Sequence, residues 1–297
     1  MMDTRRIPTH APGSDGWAQQ RATGLGGSEV AAVLGLSPWE SRFSLWHRKS
    51  GLIGPSPDMP ATEWGRRLEA VILAKWAEDR PLANLQTGLT YLRDGWQIAS
   101  PDAVATFADG AVEPVEIKAP QYDDEWGTPG TDEIPPYYLT QTRWYLHIGG
   151  WKRIHVAALF RGIDYREYVV EQDADDINLM VAEGRRFLDS IAAGERPDID
   201  AHSATYQAVK QLHPLIEPVR VDVPDDVALA YVEAVAAAKS ADTAKTEETA
   251  RLADHMGNAK AAVWDGHTIA TRQARGDGTP YVVASRNLTR YAKEIAA

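Results

Sequence analysis

The sequence predicts a mixed α/β domain whose helices pack on a central sheet, followed by a helical segment and a β-hairpin. Three observations predict it. Hydrophobic periodicity between residues 17 and 193 runs in the order helix, strands, helix, strands, helix. The 297 residues are 44% hydrophobic and 25% charged, the composition of a globular chain with a core. Beyond about residue 200 the composition shifts, and residues 225–264 are alanine-rich and nearly free of aromatics.

Each element has a local reason. Residues 1–16 are polar and turn-rich and read as a flexible leader. Residues 17–50 read as two short helices: Ser28 caps the first, Gly35 ends it, and Ser37-Pro38 starts the second, which Gly51 stops. Residues 61–79 are amphipathic, with Trp64, Leu68, Val71, Ile72 and Trp76 on one arc and Glu69 at its margin. Residues 89–118 alternate as strands. A helix follows Pro135-Pro136, and RIHVAALF and YREYVVEQ form a hairpin around RGID. The next helix spans roughly 174–193 and stops at Gly194. Residues 225–264 make one long helix or two antiparallel ones, and 265–286 a hairpin. The expected division is a leader, a domain over 17–200 and an extension over 205–297.

Composition also excludes. Without cysteine there are no disulfides, thiolate metal sites or cysteine nucleophiles. The N-terminal residues lack an apolar signal-peptide core, and no window approaches 18 apolar residues, so no membrane association is expected. No Walker A lysine follows GLGGSE, and no HExxH spacing is present. His47, His147 and His155 are scattered and read as packing or surface residues. The net charge of −11 provides no bulk basic surface for nucleic acid. The deficit has a focus, since residues 101–150 hold nine acids and two bases.

Within that acidic segment lies the candidate chemistry. In the strand VEIK, Glu116 and Lys118 are two apart and share a face. Asp102, in SPDA, ends the preceding strand and can lie beside Glu116. Two carboxylates together suit Mg²⁺, with Mn²⁺ as a substitute. Such an ion polarises a phosphate and activates water. Lys118 is then placed to orient that water, to deprotonate it, or to stabilise charge on phosphorus.

The ordered segments RATGLGGSEV, WGRRLE, SPDA, VEIKAP and YYLTQTRWYLHIGG, over roughly residues 17–170, resemble the phage lambda-type exonuclease or YqaJ-like viral recombinase family of the PD-(D/E)xK nucleases. The resemblance implies a restriction-endonuclease-like core, with a mixed sheet flanked by helices. It implies that Asp102, Glu116 and the Ile117 backbone carbonyl are metal ligands, that Lys118 is the catalytic lysine, and that Glu69 faces the same cavity. Gln141 and Tyr145 match a QxxxY motif and fall on one helix face. Arg21 and Ser28 match positions that hold a 5′-phosphate. A guanidinium and a helix start are physically suited to that.

The function implied is Mg²⁺-dependent digestion of the 5′-ended strand of linear double-stranded DNA, leaving 3′ overhangs for recombination. Implied partners are DNA ends, a single-strand annealing protein and further copies of the chain in a trimer. The implied setting is the cytoplasm of a bacterial host, with a phage or prophage origin. A structure-specific endonuclease of the same superfamily, or a non-catalytic DNA-end-binding scaffold, is the alternative. Two features depart from the family pattern: Ala103 stands where Gly commonly follows the aspartate, and the chain beyond about residue 205 exceeds the minimal core.

Overall fold

The computed structural model describes residues 4–11, 13–55, 60–78, 80–286, 288 and 291. They form two compact units, residues 1–215 and 216–297. The first begins with β1 (Thr4–Ile7), α1 (Asp15–Ala22), β2 (Leu25–Gly26), α2 (Gly27–Val33), α3 (Arg42–Lys49) and α4 (Pro60–Ala77). Strands β3 (Leu82–Thr87), β4 (Thr90–Arg93), β5 (Gln97–Ala99), β6 (Ala103–Phe107) and β7 (Val112–Lys118) follow. It continues with α5 (Pro136–Gly149), β8 (Arg153–Phe160), β9 (Asp164–Glu171), α6 (Ala174–Ala193) and α7 (Ser203–Leu212).

A five-stranded sheet of order β3-β6-β7-β8-β9 forms the centre, antiparallel except where β7 runs parallel to β8. The parallel pair needs a crossover, and the segment containing α5 supplies it. A smaller sheet, β1-β4-β5-β2, lies in the same unit. Side chains alternate across the central sheet and build two cores. Ile72, Leu73 and Trp76 of α4 bury against Ala103, Ala105, Val115 and Ile117. Trp144, Leu146 and Ile148 of α5 share the other core with Val30, Val104, Val156 and Phe187. Both faces are therefore covered, which is why β7 reads as a nearly continuous buried run.

Several expectations need correction. Thr4–Ile7 is no loose leader, because it pairs antiparallel with β4. The α2 cap is Gly26, whose N–H donates to Glu29 Oε2 at 2.7 Å, so Ser28 is the second helical residue and not the cap. The next helix starts not at Ser37-Pro38 but at Arg42, capped by Ser41, whose Oγ accepts from Ser44 N at 3.0 Å. On α4, Trp64 and Val71 are exposed, and the buried stripe is Ile72, Leu73 and Trp76. Strand β3 was not foreseen. The first unit extends to residue 215: α7 packs on α3, with Thr205 Oγ1 donating to Ser41 Oγ at 2.7 Å and Ala208 buried. An extension starting at residue 205 cuts through that contact.

Left-handed glycines close the helices where the sequence marked stops. Gly35, Gly51 and Gly194 have φ of 71°, 72° and 71°, and Gly150, which the sequence had not marked, closes α5 with φ of 69°. The second unit holds α8 (Asp225–Met256), one helix of 32 residues, and a three-stranded antiparallel sheet. That sheet is β10 (Ala261–Trp264), β11 (His267–Gln273) and β12 (Tyr281–Ala284), one strand more than the expected hairpin. No helix among the described residues is long and apolar enough to cross a membrane.

Candidate active site

The register of β6 against β7 builds the site. Ala103 is opposite Val115 and Val104 opposite Pro114, so Asp102, one step before β6, faces Glu116. Residues directly opposite in an antiparallel pair present their side chains to the same face. The Asp102 carboxylate also replaces the missing ladder partner, and Ile117 N–H donates to its Oδ2 at 2.6 Å. Within one residue of a strand, N–H and C=O point to the same edge. The Ile117 carbonyl therefore faces the edge where Asp102 sits.

Glu116 is 3% exposed. Its Oε1 accepts from Lys118 Nζ at 2.6 Å and from Gln141 Nε2 at 2.7 Å. Lys118 Nζ also donates to Gln141 Oε1 at 3.1 Å, and Gln141 Nε2 to Tyr145 Oη at 3.1 Å. One amide thus orients both the carboxylate and the ammonium, and the tyrosine one turn along α5 steadies the amide. Lys118 Nζ lies 4.5 Å from the Tyr138 ring centroid.

The charges do not balance. Burial first, and then the Glu116 charge, push the Asp102 carboxyl well above the ordinary aspartate range. Burial and Glu116 also raise the Glu69 carboxyl, reached from α4. Burial opposes charge on Lys118, but Glu116, Tyr138 and Asp102 outweigh it and hold the ammonium above the ordinary lysine value. Asp102, Glu116 and Glu69 feel one another, with Lys118 as the cation common to all three and Arg66 beside Glu69. Glu116 Oε2 is buried and has no hydrogen-bond partner. An ionised buried oxygen left unpaired is costly, and a hard cation is the group that would satisfy it.

Among the described residues, no three His, Asp or Glu side chains form a ready-made metal cluster. The groups that would hold an ion are two carboxylates and a backbone carbonyl. That set suits Mg²⁺, which keeps several waters and takes only one or two carboxylates.

Asp102, Ile117 and Glu69 line a cavity of about 710 Å³ that also touches Arg21, Arg66 and Trp17. Glu116, Lys118, Gln141 and Tyr145 do not line it. Gln141 and Tyr145 belong to α5, and Gln141 ties Glu116 and Lys118 of β7 to that helix. Arg21 Nη1 pairs with Glu29 Oε2 at 3.3 Å, and the guanidinium lies 5.3 Å from the Trp17 ring centroid. Ser28 is exposed on α2 and is not part of the cavity wall.

Sequence reasoning missed the group that holds this wall. Lys49, 5% exposed, pairs with Glu29 Oε1 at 3.0 Å and donates to the carbonyls of Arg21 and Gly24, each at 2.7 Å. Burial opposes charge on Glu29, but Lys49 and Arg21 keep its carboxyl below the ordinary glutamate value. Nothing in the spacing of Arg21, Glu29 and Lys49 gives this away, because they come from three helices. The three histidines behave as expected. His47 Nδ1 bonds to Phe43 O at 2.8 Å and His155 Nε2 to Glu113 Oε2 at 2.6 Å, while burial and Arg93 lower His147 to about 4.

Residues 16–152 match the family model of the YqaJ-like viral recombinase domain. The uncharacterised protein YqaJ of Bacillus subtilis is 26% identical over 203 residues, which are 66% of this chain and 62% of that protein. The chain thus aligns with under two thirds of that relative's length. An alkaline exonuclease of Laribacter hongkongensis superposes with a TM-score of 0.48 at 20% identity, covering 61% of this chain and 94% of the other. A phage-related exonuclease of Haemophilus somnus superposes with a TM-score of 0.41 at 10% identity, covering 60% and 99%.

Proposed function

We propose, from the match of residues 16–152 to the YqaJ-like viral recombinase domain model and from the site geometry, that the chain is a divalent-metal-dependent deoxyribonuclease that digests the 5′-ended strand of linear duplex DNA. The observation that carries this reading is the buried, unpartnered Glu116 Oε2 in an excess of carboxyls. Asp102, Glu116 and the Ile117 carbonyl would hold a Mg²⁺ ion, and Glu69, on the same cavity wall, would assist them directly or through water. The ion supplies Lewis-acid stabilisation of the charge that builds on the phosphoryl oxygens.

The chain's own groups do the rest. Lys118, held charged by Glu116, acts as a donor that orients water and stabilises negative charge at phosphorus. Gln141 fixes Glu116 and Lys118 relative to each other, and Tyr145 fixes Gln141. Arg21, on the cavity wall, is the grip for a terminal 5′-phosphate. Shortening one strand from its 5′ end leaves the 3′ overhang that recombination by strand annealing uses. DNA ends and an annealing protein are the corresponding partners, and enclosure by a homotrimer would offset the net charge of −11.

The test is digestion of linear duplex with 5′-phosphate or 5′-hydroxyl ends, with Mg²⁺ or chelator. Release of mononucleotides from the 5′-phosphorylated strand, lost in chelator, is expected. Asp102→Ala and Lys118→Ala should each fall by at least about 10²–10³-fold. Nicking of closed circular DNA would point instead to an endonuclease. Full activity in both variants would overturn the assignment.

A further inference from the structure

Next to the lysine, the protein holds an exposed aromatic array that the hydrolytic groups leave unused. Trp39 is 61% exposed. Its ring meets Tyr137 edge-on at 4.8 Å and lies 6.0 Å from Tyr138. Tyr137 meets Tyr138 at 4.4 Å. The array ends at chemistry, because Lys118 Nζ is 4.5 Å from the Tyr138 ring.

Trp39 is held out by a fixed loop. Ser37 is 6% exposed, and its Oγ accepts from the Trp39 and Glu40 backbone N–H groups, each at 3.2 Å. The Ser37 carbonyl is bonded by His202 Nε2 at 3.0 Å, and Ser41 caps α3 immediately after. A preorganised tryptophan left mostly in water provides a π-face whose ordering entropy is already spent.

We propose that Trp39, backed by Tyr137, is a stacking platform for an unpaired nucleobase of the strand whose phosphate lies at Asp102 and Glu116. The inference rests on the nuclease reading and adds a base-binding subsite to it. Two considerations favour a base over an apolar protein side chain. The array runs ring by ring to Lys118, the amine that the proposed function sets at the scissile phosphate, so on that reading an occupant belongs to the nucleotide carrying that phosphate. The chain as a whole carries a net charge of −11. Bulk charge of that sign gives a phosphate chain no electrostatic hold, and stacking is attraction that needs no positive charge. It also tolerates any sequence, because every base has a π-face.

The experiment compares the full chain with Trp39→Ala and Trp39→Phe on duplexes that carry 2-aminopurine, or an abasic residue, at the nucleotide next to the 5′ end. In chelator, binding is read by anisotropy and 2-aminopurine quenching. With Mg²⁺, KM is read from mononucleotide release. The wild type should quench 2-aminopurine and should lose about tenfold in KM on abasic substrate. Trp39→Ala should lose about tenfold on the intact substrate and show no further penalty on the abasic one. Trp39→Phe should recover part of the loss.

Equal abasic penalties in wild type and Trp39→Ala would overturn the subsite while leaving the nuclease reading intact. That outcome would assign the ring to a protein partner or to folding. A wild type without any cleavage would sink the nuclease reading by itself. If that protein also failed to quench 2-aminopurine, the subsite would fall with it.

Discussion

Asp102 shows at the residue scale how a site is built at the expense of stability. Its carboxyl is raised by burial and by Glu116 from the ordinary value of 3.8. The folded protein therefore binds this proton more tightly than the unfolded chain does. Between the two pKa values folding takes up a proton, so stability falls as pH rises, and the penalty is complete above the folded pKa. Asparagine keeps an acceptor for the Ile117 N–H and removes the charge. In chelator at about pH 8, Asp102→Asn should melt about 2–4 °C above the wild type, and the gap should narrow towards about pH 5. Mg²⁺ should raise the wild-type Tm and not that of the variant. Calorimetry across pH checks all of this, and a pH-independent gap would refute the linkage. Much of this constellation could be read from the sequence, because the strand period puts Glu116 and Lys118 on one face. The unpaired Glu116 oxygen could not, since it depends on which groups α5 brings to that face.

At the scale of elements, the site depends on how closely α2 approaches α5. A Cβ on Gly27 would lie 2.7 Å from Tyr145 Cε1 and 3.2 Å from the Gln141 carbonyl oxygen. Neither neighbour is a flexible tip, as Tyr145 is a buried ring and the other atom is backbone. Gly27→Ala should therefore push α5 outward and move Gln141 off Glu116 and Lys118. The expected cost is about 1–3 kcal/mol in urea unfolding, with activity down about 10²-fold because catalysis is sensitive to small misplacement. Loss of stability with full activity would show that the Gln141 contacts are dispensable. Helix stops were legible here, since left-handed glycine is a local requirement. Helix starts were less so. Ser28 and Ser37 looked like caps, but Gly26 and Ser41 are the caps, because Glu29 and Ser44 donate or accept three residues on. The apolar arc of α4 was misread for a related reason. Only the side facing β7 and β8 is buried, so Trp64 and Val71 stay in water despite their hydrophobicity.

On the scale of the whole molecule, the site's groups all lie within residues 1–215. In the second unit, Met256 is the buried residue of α8, so that helix adds little apolar burial of its own. A chain ending at residue 215 should unfold cooperatively and keep metal-dependent cleavage within about threefold of the full chain. Circular dichroism melts and the digestion assay check this. Cutting at residue 200 instead removes α7, exposes the α3 surface around Ser41 and should cost cooperativity. A cooperative 1–200 fragment would contradict the role given to α7.

The sequence alone determined the broad helix–strands–helix–strands–helix order of the core, several glycine stops, the acid–acid–lysine set and the absence of thiol chemistry. These are local properties, set by side-chain period, by backbone conformations that favour glycine, and by composition. The tertiary structure decided what depends on neighbours distant in the chain. It set the register that puts Asp102 opposite Glu116, the Lys49–Glu29 support behind Arg21, the β1–β4 pairing and the placing of Trp39 beside the Lys118 ring contact. Such contacts form only when several elements are packed at once, and their free energy belongs to the assembled core rather than to any one segment.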